Sequence, residues 1–501
     1  MNGVGAVSKS ASARCAALLL ASILSACAND PPLLQLEVER PSVAPARQKS
    51  SGSLSVGNAQ IKPMYHQAMA IDLENVAHVA CIDNIDILKA REQVEASQGQ
   101  LESAGAAILP VIGPGVILTH LQDVNVSSVG ILQAAHFSTL NPIAALIRWA
   151  VNPGQVYFNV LASKKRLYAA EQQDIAVSIQ VIQAASIQYY DLVFAQARVA
   201  VARDTLAEAQ EFVRLAQKRY DAQTGLFVDV TRGEALLAER QQELALALND
   251  FYKASVTLGS TLNLDPTVTL VPKARELARR DLVSSNLGID QMLALAVHWR
   301  PDLQSVGILL AAARDDTNAI IWGAATPNLL ATYQAGWMGS RTQTQTFNPR
   351  PQEPSSMNIG WVFNPTIFGR VKTSNAVTQI AVLDAERLLE AIKEQVIVAA
   401  QDSKTFAQLI PIAEKQERAA QDALRVTREN FQAGTGLFLD VLQTQDAVSL
   451  ARLRHASAIT NYNKSQVNLL AALGLLDPTN VDPSTPKYGL SPGMWKKAHT
   501  P

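Results

Sequence analysis

Cysteine, charge and long apolar runs are all scarce in this chain of 501 residues. Charged residues make up 17% and the net charge is −1, so there is neither the basic footprint of a nucleic-acid binder nor a polybasic patch for an anionic membrane surface. Beyond the N-terminus no apolar run reaches the roughly 18 residues a transmembrane helix needs. Any crossing of a bilayer would have to be made by strands. The seven histidines are scattered, His-Glu-x-x-His and phosphate-loop motifs are missing, and no nucleophile stands at a usable spacing from a base. Neither catalysis nor a metal or other cofactor is expected.

The N-terminus has the features of an export signal. Lys9 and Arg14 precede the apolar run from Ala16 to Ile23, and Leu24-Ser25-Ala26-Cys27 follows. That tetrad resembles the lipobox of bacterial lipoproteins, which implies removal of residues 1–26 and lipidation of Cys27. Ala28, standing where an Asp would hold a lipoprotein back, implies by the same resemblance the outer membrane. Cys15 leaves with the signal and Cys27 is acylated, so Cys81 is left alone and no intramolecular disulfide is expected. Residues 27–62, with their Pro and Ser/Gly clusters, read as a lipid-anchored linker.

The body of the chain is organised around a heptapeptide that occurs twice. Thr224-Gly225-Leu226-Phe227-Val228-Asp229-Val230 returns 211 residues later as Thr435-Gly436-Leu437-Phe438-Leu439-Asp440-Val441, which marks an internal duplication. Each copy reads as the turn of a helical hairpin, Thr-Gly ending one helix in the left-handed region and the Asp opening the next. Past the first turn Val230, Leu237, Leu244, Phe251 and Leu258 recur every seven residues, with Leu248 and Leu262 in the alternate seam position. The second copy repeats this with Val441, Val448, His455, Tyr462 and Leu469, plus Ile459 and Leu473. Only His455 breaks the seam. Upstream, Trp149 to Pro153 matches Trp361 to Pro365, while Asp86 and Pro110 match Asp302 and Pro327. The first repeat is assigned to 63–270, the second to 271–478 and a tail to 479–501.

Residues 109–119 with 145–151, and 328–337 with 357–363, read as strand pairs joined by loops from His120 to about Ala144 and from Gly339 to Ser356. A tilted strand of about 10 residues covers about 25 Å, the height of an outer-membrane barrel wall. Four strands per chain are too few to close a barrel, whereas three chains supply twelve, and lipid tolerates no open sheet edge. Long helices are expected from about 162 to Gln223 and from about Arg370 to Ala433, each roughly 62 residues or about 93 Å. Their partner is split into 229–262 and 300–326, stacked end to end. Pro411, inside the second long helix, is expected to cost about 3 kcal/mol or to kink it. Segment 263–299 reads as a belt. The fold class is mainly α with transmembrane β: two tandem repeats of helix, β-hairpin and long helical hairpin.

The ordered set Leu73-Glu74-Asn75-Val76-Ala77, Asn84-Ile85-Asp86-Ile87, Ala104 to Pro110, Arg300-Pro301-Asp302-Leu303 and both turns resembles the TolC-like outer membrane factor (outer membrane efflux protein) family, in its lipoprotein (NodT/OprM-like) branch. The resemblance covers about 64–478. It implies a homotrimer in which a 12-stranded barrel in the outer membrane continues into a 12-helix periplasmic barrel. Such a channel passively conducts substrates handed over by an inner-membrane transporter through a periplasmic adaptor (membrane fusion protein). The chain departs from the pattern at Ile85, which stands where the second copy has Pro301, and at Pro110, Gly113, Pro114 and Gly115 in a strand region.

Asp229 and Asp440, just past the turns, are candidates for an acidic gate at the periplasmic mouth, where by that resemblance Asp440 sits; the alternative is an Asp favoured by the macrodipole in a first helical turn. Thr224, Gly225, Leu226, Phe227, Thr435, Gly436, Leu437 and Phe438 are candidates for the tips that meet the adaptor, because an apolar hairpin end has no evident core to enter. Trp149, Trp337 and Trp361 suit an aromatic girdle or, equally, packed core positions. Two rivals to efflux remain: a type I secretion duct, and a non-conducting lipid-anchored coiled-coil scaffold, which has no need of the strands.

Overall fold

The computed structural model describes residues 54–55, 67–126, 132–273, 276–284, 287–342, 350–353 and 355–477. The signal, Cys27, most of the linker and the tail lie outside them. The first described elements are strands β1 (Leu54–Ser55) and β2 (Gln67–Ile71) and helices α1 (Leu73–Asp83) and α2 (Ile85–Ala106). Asp72 caps α1, its Oδ1 accepting the Asn75 N–H at 3.0 Å, and Asn84 caps α2 by accepting the Asp86 N–H at 2.8 Å.

Strands β3 (Val111–Val126) and β4 (Leu132–Val151) follow, in antiparallel register from Val111 opposite Arg148 to Val126 opposite Leu132. The loop expected from His120 to Ala144 is therefore mostly strand. Sheet hydrogen bonds are made by the backbone, so a ladder continues through polar stretches that apolar runs alone do not mark. Pro114 has no N–H to give, and it falls where the register shifts, between Gly113 opposite Leu146 and Gly115 opposite Ile143.

Helix α3 (Pro153–Asp221) has 69 residues, about 103 Å at about 1.5 Å each. It starts earlier than expected because Asn152 accepts the Gln155 N–H at 3.0 Å and Pro153 occupies the first helical position. After it come α4 (Phe227–Thr261), β5 (Val268–Pro272), β6 (Glu276–Leu277), α5 (Ile289–Trp299) and α6 (Pro301–Ala325). Next are β7 (Asn328–Thr342), β8 (Arg350–Gln352) and β9 (Ser355–Gly360), then α7 (Thr366–Gln432) and α8 (Phe438–Ala472). Helix α7 runs through Pro411 without ending. Strand β4 pairs with β7, and β7 with both β8 and β9, so one sheet carries the strands of both repeats.

The long helix α3 does lie against both expected partners, α4 and α6, but those two are not stacked on each other. Asn84 Nδ2 donates to the Thr261 carbonyl at 2.8 Å, which sets the start of α2 on the end of α4. Gly474, at φ +72°, lies so close to Trp299 and Arg300 that a Cβ would meet their backbone at 2.9 Å, which sets α6 on the end of α8. Thus α6 continues α8, not α4; seam periodicity tells which face is buried, not which helix buries it. Along α3 the ion pairs Lys165–Asp315 (2.5 Å) and Arg166–Asp316 tie it to α6, while Arg198–Asp250 (2.6 Å) and Lys464–Asp191 tie it to α4 and α8.

Within segment 263–299, residues 280–283 are held against α8. Asn463 Oδ1 accepts the Arg280 N–H at 2.9 Å and Gln466 Oε1 accepts those of Leu282 and Val283 at 3.1 and 3.0 Å. These buried amides satisfy an irregular backbone that has no ladder of its own. Strand β5 pairs in parallel with β2, from Gln67 opposite Val268 to Ile71 opposite Pro272.

Candidate functional site

Both duplicated turns are closed by the same backbone hydrogen bonds. In the first, the N–H of Gln223 goes to the Tyr220 carbonyl (2.9 Å) and that of Thr224 to Arg219 (2.9 Å); in the second, Gly434 goes to Phe431 (3.1 Å) and Thr435 to Asn430 (3.0 Å). This is the Schellman arrangement, with one left-handed residue just past the helix. That residue is Gln223 (φ 60°) in one copy and Gly434 (φ 82°) in the other, so the expectation that Thr-Gly supplies it is corrected. Gly225 and Gly436 serve close approach instead. A Cβ on Gly225 would come within 2.9 Å of Arg219 Cβ, and one on Gly436 within 2.9 Å of Phe431 N. The Thr224 and Thr435 hydroxyls each donate to the carbonyl five residues back, at 3.2 Å.

Identical sequence does not give identical tips. Leu226, Phe227 and Leu437 are exposed, at 69%, 63% and 68%, but Phe438 is 3% exposed and leaves the set of surface tip residues. It sits in a core with Phe212, Phe431 and Val441, its ring 6.3 Å from Phe212 and 5.8 Å from Phe431. Among the described residues the one aromatic ring beside Phe227 is that of Tyr220, at 5.5 Å. Two arginines finish the second tip: Arg219 lies 4.7 Å over the Phe431 ring and donates from Nη1 to its carbonyl (3.1 Å), and Arg428 lies 5.7 Å over Phe212. Sequence reasoning missed Phe212, Phe431, Arg219 and Arg428, because nothing in the repeat says that α3 abuts the end of α7.

Asp229 and Asp440 both stand in the first turn of a helix whose cap, Leu226 or Leu437, offers no side-chain acceptor. Neither carboxylate makes a hydrogen bond or ion pair with another described residue. Trp149 donates its indole N–H to the Ile108 carbonyl (2.7 Å) and Trp361 to that of Ala325 (3.2 Å), so each fastens a strand end to the preceding helix end. Trp149 is half-buried, whereas Trp337 and Trp361 are exposed. Cys81 is a free, buried thiol, and burial pushes its pKa up to about 11. His455, the break in the seam, is buried and its Nδ1 lies 2.7 Å from Glu417 Oε2. Among the described residues no group of three or more His, Cys, Asp or Glu is placed to hold a metal ion.

The architecture has counterparts. OprN, an outer-membrane channel, superposes with a TM-score of 0.68 at 18% identity, over 87% of this chain and 98% of its own. VceC of Vibrio cholerae, an outer membrane protein, gives 0.64 at 16%, over 80% and 96%. In sequence the chain is 22% identical to the pyoverdine export outer membrane protein OpmQ of Pseudomonas aeruginosa, across 90% of this chain and 94% of that one. It is 21% identical to nodulation protein T of Rhizobium leguminosarum bv. trifolii, across 86% and 91%. Residues 293–475, from α5 to the end of α8, match the model for outer membrane efflux proteins. Two duplicated helical hairpins on a shared sheet, with relatives matched over most of their length, make this chain similar to outer membrane efflux proteins in its second repeat and to outer-membrane channels in its fold.

Proposed function

We propose that this protein is the outer-membrane exit channel of a tripartite efflux system, conducting passively what an inner-membrane pump delivers through a periplasmic adaptor. The observation that carries the reading is the incompleteness of one protomer. Its sheet ends at β3 on one side, and α7 exposes an apolar series, Val377, Ile380, Leu383 and Ile412, that no described residue of its own chain covers. Three copies joined edge to edge cover both, giving a closed barrel and a ring of helices. In that homotrimer acylated Cys27 holds the chain to outer-membrane lipid, Asp229 and Asp440 stand as rings of carboxylates near the mouth, and the exposed tip residues meet the adaptor. Names of relatives speak of export and efflux rather than of protein secretion, which favours small substrates.

The test is single-channel conductance of the lipidated protein in planar bilayers, for wild type, Asp440→Ala and Asp229→Ala/Asp440→Ala. Discrete openings that grow or lose cation preference in the variants are expected. A folded, trimeric double variant that never conducts would leave a scaffold as the better account, while conductance indifferent to both mutations would put the constriction elsewhere.

A further inference from the structure

The duplication supplies an internal control for the exposed Phe227. Phe438, the same residue of the same motif, is buried because two helices close over it: its own hairpin contributes Phe431 and α3 of the neighbouring hairpin contributes Phe212, with Leu215 packed alongside. For Phe227 the own-hairpin wall is present, since Tyr220 stands 211 residues before Phe431. What is missing is the counterpart of Phe212 and Leu215. Counting 211 residues on, those counterparts are Ala423 and Val426, one helical turn apart on α7, and both are exposed in the protomer.

We propose that Ala423 and Val426 of an adjoining copy close over Phe227, and that this socket, with Ala423 where the intrachain one has Phe212, is underfilled by a phenyl ring. The proposal rests on the trimer reading above and gives it a residue-level consequence. The mouth would then have two kinds of seam in alternation. Within a protomer the seam is an aromatic core braced by Arg219 and Arg428. Between protomers, Gln217 stands where Arg428 would and Asn430 where Arg219 would, so the bracing cations are missing as well as the ring. One difference runs the other way. Gly233 lies beside Phe438, where an added Cβ would come 3.9 Å from its Cζ, and its counterpart Thr444 brings a small side chain to the intermolecular socket. A threonine does not replace a phenyl ring. The boundary between copies is thus the seam that parts first, and the site incomplete in one chain is completed by another.

The test uses the full-length lipidated trimer carrying Cys81→Ala. Oxidation of the Phe227→Cys/Ala423→Cys pair should give two- and three-chain bands on a denaturing gel, while Phe212→Cys/Phe438→Cys should close within one chain. Separately, Ala423→Phe should fill the socket and lower the open probability in bilayers by about 3- to 10-fold per boundary, the effect of about one aromatic pair. Trimers that form the intrachain bond but no interchain bands would overturn the inference and leave the channel reading intact. An open probability unchanged by Ala423→Phe, with the trimer folded, would overturn it too. Wild-type protein that sediments as a monomer would remove the trimer reading itself.

Discussion

Glu417 and His455 offer the sharpest energetic test of the fold, because the first repeat shows what those positions hold when they are apolar. Their counterparts 211 residues earlier are Leu206 and Leu244. In the second repeat Glu417 Oε2 lies 2.7 Å from His455 Nδ1, Gln421 Nε2 donates to Glu417 Oε1 at 2.9 Å, and Arg452 stands 4.0 Å from that oxygen while reaching Asp204 at 3.8 Å. His455 Nε2 is buried with no partner of its own. Glu417→Leu therefore strands the imidazole, and His455→Leu strands the carboxylate. Removing one member of a buried pair costs about 3–5 kcal/mol, whereas replacing both by packed apolar groups is often neutral or stabilising by about 1–4 kcal/mol. The double variant Glu417→Leu/His455→Leu should be at least as stable as wild type although each single variant is several kcal/mol worse. Denaturant unfolding of the helices in detergent, followed by far-UV circular dichroism and arranged as a double-mutant cycle, measures the coupling. Single losses below about 0.5 kcal/mol, or a double loss equal to their sum, would refute the pairing as described.

Three further outcomes follow from the tips and the core. Gln223 holds the left-handed conformation that Gly434 holds in the other copy, so Gln223→Gly should stabilise the first hairpin by about 1 kcal/mol and Gly434→Ala should destabilise the second by about as much, read by hydrogen exchange at the helix ends. Gly436→Ala drives a Cβ to 2.9 Å from Phe431 N, so it should loosen the tip and speed proteolysis there even though no left-handed residue is touched. The Cys81 thiol, raised to about 11 by burial, should react with maleimide at pH 8 far more slowly than the same thiol in denaturant, and its labelling should quicken as pH approaches 11. Fast labelling of the folded protein at pH 8 would mean that the thiol is accessible.

The duplication, the two hairpin turns, the capping residue Asp72 and the seam positions Val441, Val448 and Tyr462 were all determined by the sequence alone. Each depends on local spacing: a helix cap needs one side chain a few residues from an N–H, and a seam needs a period of seven. Partnership was decided only by the tertiary structure. It put α6 on α8 because Gly474 alone allows Trp299 and Arg300 to come so close, and it carried the β3–β4 ladder through residues whose polarity suggested a loop. It also buried Phe438 while leaving Phe227 bare, although the two lie in nearly identical heptapeptides, because burial belongs to the neighbours. One Phe meets Phe212 from its own chain, and the other is left exposed.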